Sequence, residues 1–244
     1  MNTRQLGKDG PMLTEIGLGT WAIGGPWTWG WGPQDDADSI ATIRRALDLG
    51  INWIDTAPVY GLGHAEEIVA RAIEGHRHEV FIATKCGLVW DERRRVDRNN
   101  RPESIRKECE ASLRRLNTDY IDLYQIHWPD PNTPVEDSWA EMVRLQEEGK
   151  VRYIGVSNFD VPLLEKCEAI HHVNSLQPPY SMVHRVKYPE VEKEILPWCR
   201  EHGVGVVAYS PLQNGLLTGK WNRQRLDNLP RDDWRRRSEF FTDP

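Results

Sequence analysis

Apolar, β-branched runs recur along the chain, and each is short enough to be a single strand. Between them, apolar residues recur at helical spacing, as in segment 36–49, where Ile40, Ile43 and Leu47 share one face. The predicted strands are residues 15–20, 51–55, 80–84, 120–127, 151–156, 173–177 and 204–209. The predicted helices are residues 36–49, 65–73, 102–116, 135–148, 162–170 and 190–202. Strands and helices therefore alternate along the chain.

This alternation, with strands that are apolar along nearly their whole length, is typical of parallel strands buried on both faces. A closed barrel and an open doubly wound sheet both fit, and seven β/α units favour the barrel. Turn residues between two short extended pieces, in RQLGKDGPMLTEIG, predict a β-hairpin before the first barrel strand. The predicted fold class is α/β, a (β/α)8 TIM barrel with an N-terminal β-hairpin.

The segment after Tyr209 does not supply the eighth strand that closes such a barrel. Residues 211–244 are charged and loop-like, with no strand-like run. Either the chain is part of a longer one, or the barrel is open with exposed sheet edges, which proteins usually avoid. We expect a C-terminally shortened barrel in which residues 1–244 form a single domain, with the hairpin and first strand in residues 1–19.

Composition and charge exclude some classes of function. A hydrophobic content of 39% is enough for a hydrophobic core. A net charge of −6 gives the chain no excess of positive charge with which to bind nucleic acid. The polar N-terminus lacks a signal-peptide pattern and no apolar run could span a bilayer. We therefore expect a soluble, cytoplasmic protein without a membrane or nucleic-acid partner. The four cysteines, at positions 86, 109, 167 and 199, lack metal-like or disulfide-like spacing and are interpreted as buried small hydrophobes.

Four ionisable side chains follow the ends of the second, third and fourth predicted strands. Asp55 and Tyr60 occur in IDTAPVYG, Lys85 in IATKCG and His127 in YQIHWPD. In a parallel barrel the reactive side chains lie at the carboxyl ends of the strands, so these four are expected to converge at one mouth. Each alone also fits a structural role, but a buried lysine needs a counter-charge, and Asp55 is the nearest candidate.

The chemistry of these four residues suits proton donation to a carbonyl group. An ammonium beside a tyrosine favours the phenolate and so lowers a pKa that is ordinarily about 10. We therefore expect Lys85 to lower the pKa of Tyr60 and Asp55 to hold Lys85. His127 is expected to donate a hydrogen bond to a carbonyl oxygen or to share the proton path. A proton donor reduces nothing by itself, so a hydride donor must lie beside the site.

Polar and aromatic residues at the ends of the later strands suit such a hydride donor. Ser157 and Asn158 follow the fifth strand, Gln177 ends the sixth and Tyr209 ends the seventh. Hydroxyl and amide groups match a carboxamide, and an aromatic face matches a flat ring. Each of these residues is also common in ordinary turns, which is the alternative interpretation.

Six motifs occur together and in order: IDTAPVYG, ATKCG, YIDLYQIHWPD, GKVRYIGVSNF, QPPYS and AYSPLQNGLLTGK. Together they resemble the aldo-keto reductase superfamily, in particular its bacterial general-stress and inositol-operon type members. The resemblance implies an NADP(H)-dependent oxidoreductase that reduces small-molecule aldehydes or ketones to alcohols. By position, Asp55, Tyr60, Lys85 and His127 match the family's catalytic tetrad, with Tyr60 as the proton donor.

The same resemblance implies cofactor and substrate positions. The cofactor-binding candidates are Thr20, Trp21, Asp55, Ser157, Asn158, Gln177, Tyr209, Ser210, Pro211, Leu212, Gly215 and Leu216. Of these, the last five match the loop that covers the pyrophosphate. The substrate candidates are Trp21, Tyr60, Trp90, His127 and Trp128, and no metal site is expected. Family members continue past this tail into an eighth strand, whose loop recognises the adenosine 2′-phosphate.

The stretch GLGTWAIGG, residues 17–25, nearly matches the glycine fingerprint of a dinucleotide-binding Rossmann fold. That fingerprint needs a helix that begins at its third glycine, whereas the glycines and prolines that follow prevent one. We therefore interpret this stretch as a barrel strand and its loop. Trp27, Trp29 and Trp31 in the same loop are interpreted either as pocket walls or as ordinary loop packing.

Three other interpretations stay open at this point. An aldolase-like barrel could use Lys85 as a Schiff-base nucleophile, although Asp55 would keep that lysine charged. Some relatives of the family serve as non-catalytic, cofactor-sensing modules, which is the second alternative. A metal hydrolase built on Asp55, His127 and Asp130 is the third, and the sequence lacks a metal-ligand cluster that would favour it.

Overall fold

Eleven strands lie in the part of the chain that the computed structural model describes, residues 1–185 and 190–241. In chain order they are β1 (Thr3–Gln5), β2 (Met12–Thr14), β3 (Leu18–Gly19), β4 (Trp53–Asp55), β5 (Phe81–Cys86), β6 (Leu88–Trp90), β7 (Val96–Arg98), β8 (Ile121–Ile126), β9 (Val151–Ser157), β10 (Ser175–Gln177) and β11 (Gly205–Val206). β1 and β2 pair as the predicted hairpin, whereas the hairpin β6–β7 was not predicted. The other seven strands form one curled parallel sheet in the order β11-β10-β9-β8-β5-β4-β3.

Helices fill the connections between the sheet strands, and one more helix lies in the tail. In chain order they are α1 (Asp36–Asp48), α2 (His64–Ala72), α3 (Pro102–Leu116), α4 (Val135–Glu147), α5 (Val161–Glu168), α6 (Leu196–His202) and α7 (Arg223–Asp227). One π-type turn, Val191–Ile195, precedes α6, so the predicted helix 190–202 is present but irregular. α7 and the 3₁₀ turns Gln213–Thr218 and Trp234–Arg237 lie in the tail, which holds no strand over residues 211–241.

Local sequence explains where α3 begins and ends. α3 starts with Pro102, whose missing amide hydrogen costs nothing in the first turn of a helix. It ends where Asn117 adopts the left-handed conformation (φ +50°). Its buried residues are Ile105, Cys109, Ser112 and Leu116, which recur at helical spacing. This face packs against the outer surface of the sheet.

Side chains alternate between the two faces of the sheet strands. Ile54, Ile82 and Ile126 belong to the large core between sheet and helices. Trp53, Phe81, Ala83 and Leu123 belong to a second cluster, together with Leu6 and Leu13 of the N-terminal hairpin. The hairpin therefore packs against the inner face of the curled sheet. By the two-residue period, Asp55 and Lys85 lie on the same inner face, further along their strands.

The sheet has two edge strands in the described residues, β3 and β11, and no eighth strand joins them there. A cleft with a volume of about 2070 Å³ opens at the carboxyl ends of the strands and extends between these two edges. In residues 1–185 and 190–241 we find no helix that is both long enough and apolar enough to cross a membrane.

Candidate active site

The four ionisable residues predicted from the strand ends lie together. Asp55 ends β4, Lys85 is the penultimate residue of β5, and His127 directly follows β8. β4, β5 and β8 are neighbours in the sheet, so their carboxyl ends meet at one edge. Tyr60 lies five residues beyond β4, and its ring contacts the His127 ring edge-on at a centroid distance of 5.9 Å.

A tight turn places Tyr60 over this edge. Its amide donates to the carbonyl of Ala57 (3.1 Å), and its own carbonyl accepts from the amide of Ala65 in α2 (3.2 Å). Gly61 adopts the left-handed conformation (φ +67°), and a Cβ at this position would lie 2.0 Å from the Gly24 carbonyl oxygen. Only glycine fits there, and the loop after β3 therefore packs directly against the Tyr60 turn.

Lys85 is fully buried and all the protons of its ammonium are engaged. Nζ donates to both carboxylate oxygens of Asp55 (2.7 and 2.9 Å), to the carbonyl of Thr56 (2.8 Å) and to the hydroxyl of Tyr60 (3.4 Å). Burial lowers the pKa of Lys85, and the Asp55 charge opposes that shift. Asp55 therefore keeps Lys85 in its charged form, with one donor aimed at the Tyr60 oxygen.

The electrostatics of Tyr60 correct one expectation. We expected Lys85 to lower the pKa of the phenol, but burial raises the pKa of Tyr60 well above 10, and the Asp55 charge raises it further. The expected direction is wrong because burial disfavours the phenolate and Asp55 neutralises much of the Lys85 charge. Tyr60 consequently keeps its proton across the neutral pH range.

His127 is held through its backbone. Its amide donates to the carbonyl of Cys86 at the end of β5 (2.9 Å), and its carbonyl accepts from Nδ2 of Asn158 (3.0 Å). Burial and the nearby Lys85 charge lower the pKa of His127 well below 6.5. At neutral pH the imidazole is uncharged, so it offers one ring N–H as a hydrogen-bond donor rather than a positive charge.

The polar residues of the later strands form a hydrogen-bonded chain beside these four. The Ser157 hydroxyl donates to the Gln177 carbonyl (2.8 Å), and Nδ2 of Asn158 donates to the Ser157 hydroxyl oxygen (2.9 Å). The Tyr209 hydroxyl donates to Oδ1 of Asn158 (2.9 Å). Asn158 adopts the left-handed conformation (φ +61°), which asparagine tolerates better than most residues.

Gln177 links the two sets of residues. Its Nε2 donates to Oδ2 of Asp55 (2.8 Å), although the two residues lie 122 positions apart in the chain. An ionised carboxylate only accepts hydrogen bonds, so the amide nitrogen must face Asp55. The other end of the amide, Oε1, is thereby left as an acceptor for a ligand that carries an N–H group.

Most of the predicted site residues line the cleft. The predicted residues at its surface are Trp21, Asp55, Tyr60, His127, Trp128, Ser157, Asn158, Gln177, Tyr209, Ser210, Pro211, Leu212 and Gly215. The segment that begins at Ser210 turns tightly, with Ser210, Gln213 and Asn214 all at positive φ. This turn forms one rim of the cleft.

Four predicted residues do not reach the cleft surface. Lys85 lies buried beneath Tyr60, and Thr20 is fully buried, with its hydroxyl donating to the Asp55 carbonyl (3.1 Å). Trp90 pairs with Val96 inside the β6–β7 hairpin, and Leu216 lies in the turn behind the rim. Thr20 supports the backbone of Asp55 instead of lining the cleft.

The tail adds one indole, Trp234, to the tryptophans of the loop after β3, and this contribution was not predicted from the sequence. The Trp21 ring meets the rings of Trp27, Trp31 and Trp234 edge-on, at centroid distances of 6.5, 5.3 and 5.6 Å. All four indoles line the cleft, so the loop tryptophans are wall residues as well as packing residues. No periodic pattern marks Trp234 in the sequence, because its position depends on a contact with a distant loop.

Two of the alternative chemistries find no support in the described residues. Among them no group of three or more His, Cys, Asp or Glu side chains is arranged to hold a metal ion. The Asp130 carboxylate accepts from the amides of Asn100 and Asn132 and from the Thr133 hydroxyl, as a turn anchor does. Lys85 is committed to Asp55 and Thr56, which leaves no lone pair for a Schiff base.

An α/β barrel with ionisable and amide side chains gathered at the carboxyl ends of its strands has the architecture of a barrel enzyme. The model of the Aldo/keto reductase family matches residues 15–240. The chain belongs to this family, which confirms the predicted family and the α/β barrel-like fold. It is an oxidoreductase of a family that uses a nicotinamide cofactor and acts on small carbonyl compounds.

Individual relatives match all or most of the chain. Aldo-keto reductase YhdN of Bacillus subtilis is 42% identical over 246 residues, which is 100% of this chain and 71% of the relative. The NADH-specific methylglyoxal reductase of Escherichia coli is 42% identical over 231 residues, covering 89% of this chain and 69% of the relative.

Solved structures give the same assignment. The glycerol dehydrogenase AKR11B4 from Gluconobacter oxydans superimposes with a TM-score of 0.86 at 46% identity, over 100% of this chain and 73% of its own. An aldo/keto reductase from Klebsiella pneumoniae, solved with NADP and acetate, superimposes with a TM-score of 0.73 at 30% identity, over 93% and 74% of the two chains.

Proposed function

We propose that the chain reduces small aldehydes or ketones to alcohols, with NADP(H) as the hydride donor and Tyr60 as the proton donor. The observation that carries the proposal is the hydrogen bond from Lys85 Nζ to the Tyr60 hydroxyl oxygen, beside the buried Lys85–Asp55 ion pair. A phenol held neutral by burial is loaded with its proton at neutral pH. The adjacent ammonium stabilises the charge that develops on the phenol oxygen as that proton leaves.

The residues around the cleft fit a nicotinamide dinucleotide. The Oε1 atom of Gln177 and the polar groups of Ser157 and Asn158 suit a carboxamide, and the Tyr209 ring suits stacking on a flat ring. The rim residues Ser210 to Gly215 are assigned to the pyrophosphate, and Trp21 is assigned to the nicotinamide. When bound, the dihydronicotinamide supplies the hydride that the protein itself lacks.

The protein's own residues handle the proton and the substrate. The Tyr60 hydroxyl donates its proton to the carbonyl oxygen, while the neutral His127 ring orients that oxygen through one N–H donor. Asp55 keeps Lys85 charged and in place. Trp21 and Trp128 form apolar walls for the substituents of the carbonyl compound, as in most small-molecule pockets.

The preference for NADP(H) is the finer part of this proposal. The Klebsiella structure with NADP supports it, whereas the Escherichia coli relative is named as NADH-specific. The test must therefore compare both cofactors. The four cysteines are buried and unpaired, which suits a reducing compartment, and we place the activity in the cytoplasm.

The test is the initial rate of NADPH and of NADH oxidation by the purified chain, with a panel of aldehydes and ketones and the alcohol product identified by chromatography. We expect one alcohol formed for each cofactor oxidised, with NADPH the better donor. Better turnover with NADH would contradict the cofactor assignment alone. A folded chain that binds both nucleotides and reduces no carbonyl compound would contradict the proposed reaction and favour a cofactor-sensing role.

A further inference from the structure

A mostly buried carboxyl group lies behind the site and takes no part in the chemistry described above. Glu108 is on the inward side of α3, where Oε2 accepts from the backbone amide of Gly87 (3.0 Å) and Oε1 accepts from the Ser104 hydroxyl (3.1 Å). Both donors are neutral. Arg115, the cation on the same helix that faces Glu108, forms its ion pair with Glu66 instead (2.6 Å).

Gly87 connects several parts of the site through its backbone. It directly follows β5, two residues after Lys85, and its carbonyl accepts from the Asn99 amide at the end of the β6–β7 hairpin (3.2 Å). Its φ is +88°, and a Cβ there would lie 2.0 Å from Oδ1 of Asn100, so the position admits only glycine. The preceding carbonyl, that of Cys86, accepts the amide of His127 (2.9 Å).

A glycine at positive φ has little conformational preference of its own, so its geometry depends on its hydrogen bonds. The amide of Gly87 is bonded to Glu108 and to no backbone acceptor of the described sheet. The carboxylate therefore supplies the bond that fixes the backbone between Lys85, the β6–β7 hairpin and His127, which follows β8.

We propose that Glu108 is a positioning residue for the reductase: its carboxylate fixes the Gly87 amide and thereby the alignment of Lys85 with Tyr60 and His127. The inference rests on the proposed function for its catalytic consequence. Its structural part, the bond between the carboxylate and the Gly87 amide, can be tested without turnover.

The charge on Glu108 depends on pH in the neutral range, which makes this bond adjustable. Burial raises the pKa of Glu108 to about 7. The groups that face it are Arg115 on its own helix, Glu66 on α2, Cys86 on β5 and Tyr124 on β8. An ionised carboxylate is a stronger acceptor than a neutral carboxyl, so the hold on Gly87 tightens as pH rises through this range.

The first test follows the Gly87 amide proton by NMR while the pH is raised from about 5.5 to 8.5, an interval centred on the pKa of Glu108. In the wild-type chain we expect its chemical shift to move downfield with a midpoint near pH 7. In Glu108→Gln, which keeps the acceptor and removes the charge, the step should vanish. The matched control is Glu110→Gln on the same helix, whose carboxylate pairs with Lys150 and should leave the step intact. A Gly87 shift that does not respond to pH in the wild-type chain would overturn the proposal.

The second test measures kcat at saturating NADPH and carbonyl substrate across the same pH range. Glu108→Leu should lower kcat about tenfold, the effect of losing one hydrogen bond to a charged group, with a much smaller change in cofactor Kd. Glu108→Gln should recover most of that loss and flatten the pH dependence near neutrality. In Glu108→Leu the His127 amide should also exchange with solvent faster.

An unchanged kcat in a folded Glu108→Leu, or a Gln variant as impaired as the Leu variant, would overturn the positioning role. If the leucine variant does not fold, the glutamine variant and the NMR titration still decide the question. Absence of turnover in the wild-type chain would instead count against the proposed function, and the Gly87 and His127 amide measurements would decide the inference.

Discussion

Asp55 accepts hydrogen bonds from several residues of the site. Its carboxylate accepts from Lys85 and from Gln177, and its carbonyl accepts from both the amide and the hydroxyl of Thr20. The rule that polar residues gather at the carboxyl ends of parallel strands was sufficient to predict the Asp55–Lys85 pair from the sequence. The bond to Gln177 was not predictable, because it depends on the curvature that brings β10 opposite β4.

Removing the charge of Asp55 should destabilise the chain strongly. Asp55→Asn leaves the Lys85 ammonium buried without a counter-charge, which costs about 3–5 kcal/mol of the free energy of unfolding. Urea denaturation at neutral pH measures the difference. In the same variant the pKa of Lys85 should fall further, because the Asp55 charge no longer opposes the effect of burial and only the smaller effect of the Glu66 charge does.

The double variant Asp55→Leu/Lys85→Met provides the control for this prediction. It removes both charges and replaces them with apolar side chains, so it should unfold at a higher urea concentration than Asp55→Asn. A double variant less stable than the single one would show that the ion pair stabilises the fold by itself.

Glu108 should make stability depend on pH in a specific direction. Its pKa is about 7 in the folded chain and 4.5 ordinarily, so the folded state holds the proton more tightly than the unfolded state. Protonated Glu108 therefore contributes to the free energy of unfolding. That contribution is fully present below pH 4.5 and is lost as pH rises through 7. Glu108→Gln does not titrate. Between pH 5 and 8 its free energy of unfolding should therefore rise relative to that of the wild-type chain, by up to about 3 kcal/mol.

Urea unfolding of the two chains at several pH values measures this difference. Glu110→Gln is the matched control and should not gain stability over that interval, since its carboxylate is exposed to solvent and paired with Lys150. A gap between wild type and Glu108→Gln that stays constant with pH would contradict the raised pKa.

At the scale of secondary-structure elements, the apolar runs and helical spacing predicted the order of the sheet strands and of α1 to α6. α3 was found at its predicted bounds, because Pro102 and Asn117 mark its ends by local chemistry alone. The last strands are shorter than predicted: β10 and β11 have three and two residues. Apolar runs extend beyond the hydrogen-bonded pairs, so hydrophobicity overestimates strand length.

The β6–β7 hairpin and the helical turns of the tail escaped prediction for physical reasons. The hairpin strands are three residues each, and the charged turn between them is held by the Asp91 carboxylate, which accepts from the amides of Arg93 and Arg95. In the tail, the Trp234 amide donates to the Gly30 carbonyl (3.2 Å). Contacts between residues so distant in sequence leave no periodic signal.

Arg235 is one of the residues that hold the tail against the loop after β3. Its guanidinium lies over the rings of Trp31 (4.5 Å) and Trp221 (4.9 Å) and pairs with the buried Asp233 (2.6 Å). Arg235→Met should weaken this attachment by about 1 kcal/mol, which raises the opened population about fivefold. Limited proteolysis with subtilisin should then cut residues 221–241 about five times faster.

The control for the tail is Arg225→Met. Arg225 also lies over Trp221 (4.8 Å), but it makes no contact with Trp31 or Asp233. Its loss should change the cleavage rate much less. Equal rates in the two variants would show that Arg235 does not fasten the tail to the loop.

At the scale of the whole molecule, the seven-stranded parallel sheet and the large core between it and the helices run through most of the described residues, and we infer a single barrel domain. The chain spans 71% and 69% of the lengths of the Bacillus and Escherichia relatives, and the sheet has free edges at β3 and β11. The cleft is lined by residues of both edge strands, Gly19 of β3 and Gly205 and Val206 of β11.

A ligand that joins the two edges should stabilise the entire fold. At a concentration of about one hundred times Kd, NADPH should add about 2.7 kcal/mol to the free energy of unfolding. For a domain of this size that corresponds to a rise in Tm of roughly 5–10 °C. Differential scanning fluorimetry with NADPH, NADH and adenosine monophosphate gives the comparison. A rise as large with the monophosphate as with NADPH would contradict a nicotinamide site at the strand ends.

Tyr60 is the proposed proton donor, and one measurement tests this role directly: the single-turnover rate of NADPH oxidation with a saturating aldehyde, in the wild-type chain and in Tyr60→Phe. The variant removes one hydroxyl and keeps the ring that packs against His127. We expect a rate at least about 100-fold lower in the variant, with NADPH Kd nearly unchanged by fluorescence titration. A variant that reduces the aldehyde at a rate close to that of the wild-type chain would contradict this role.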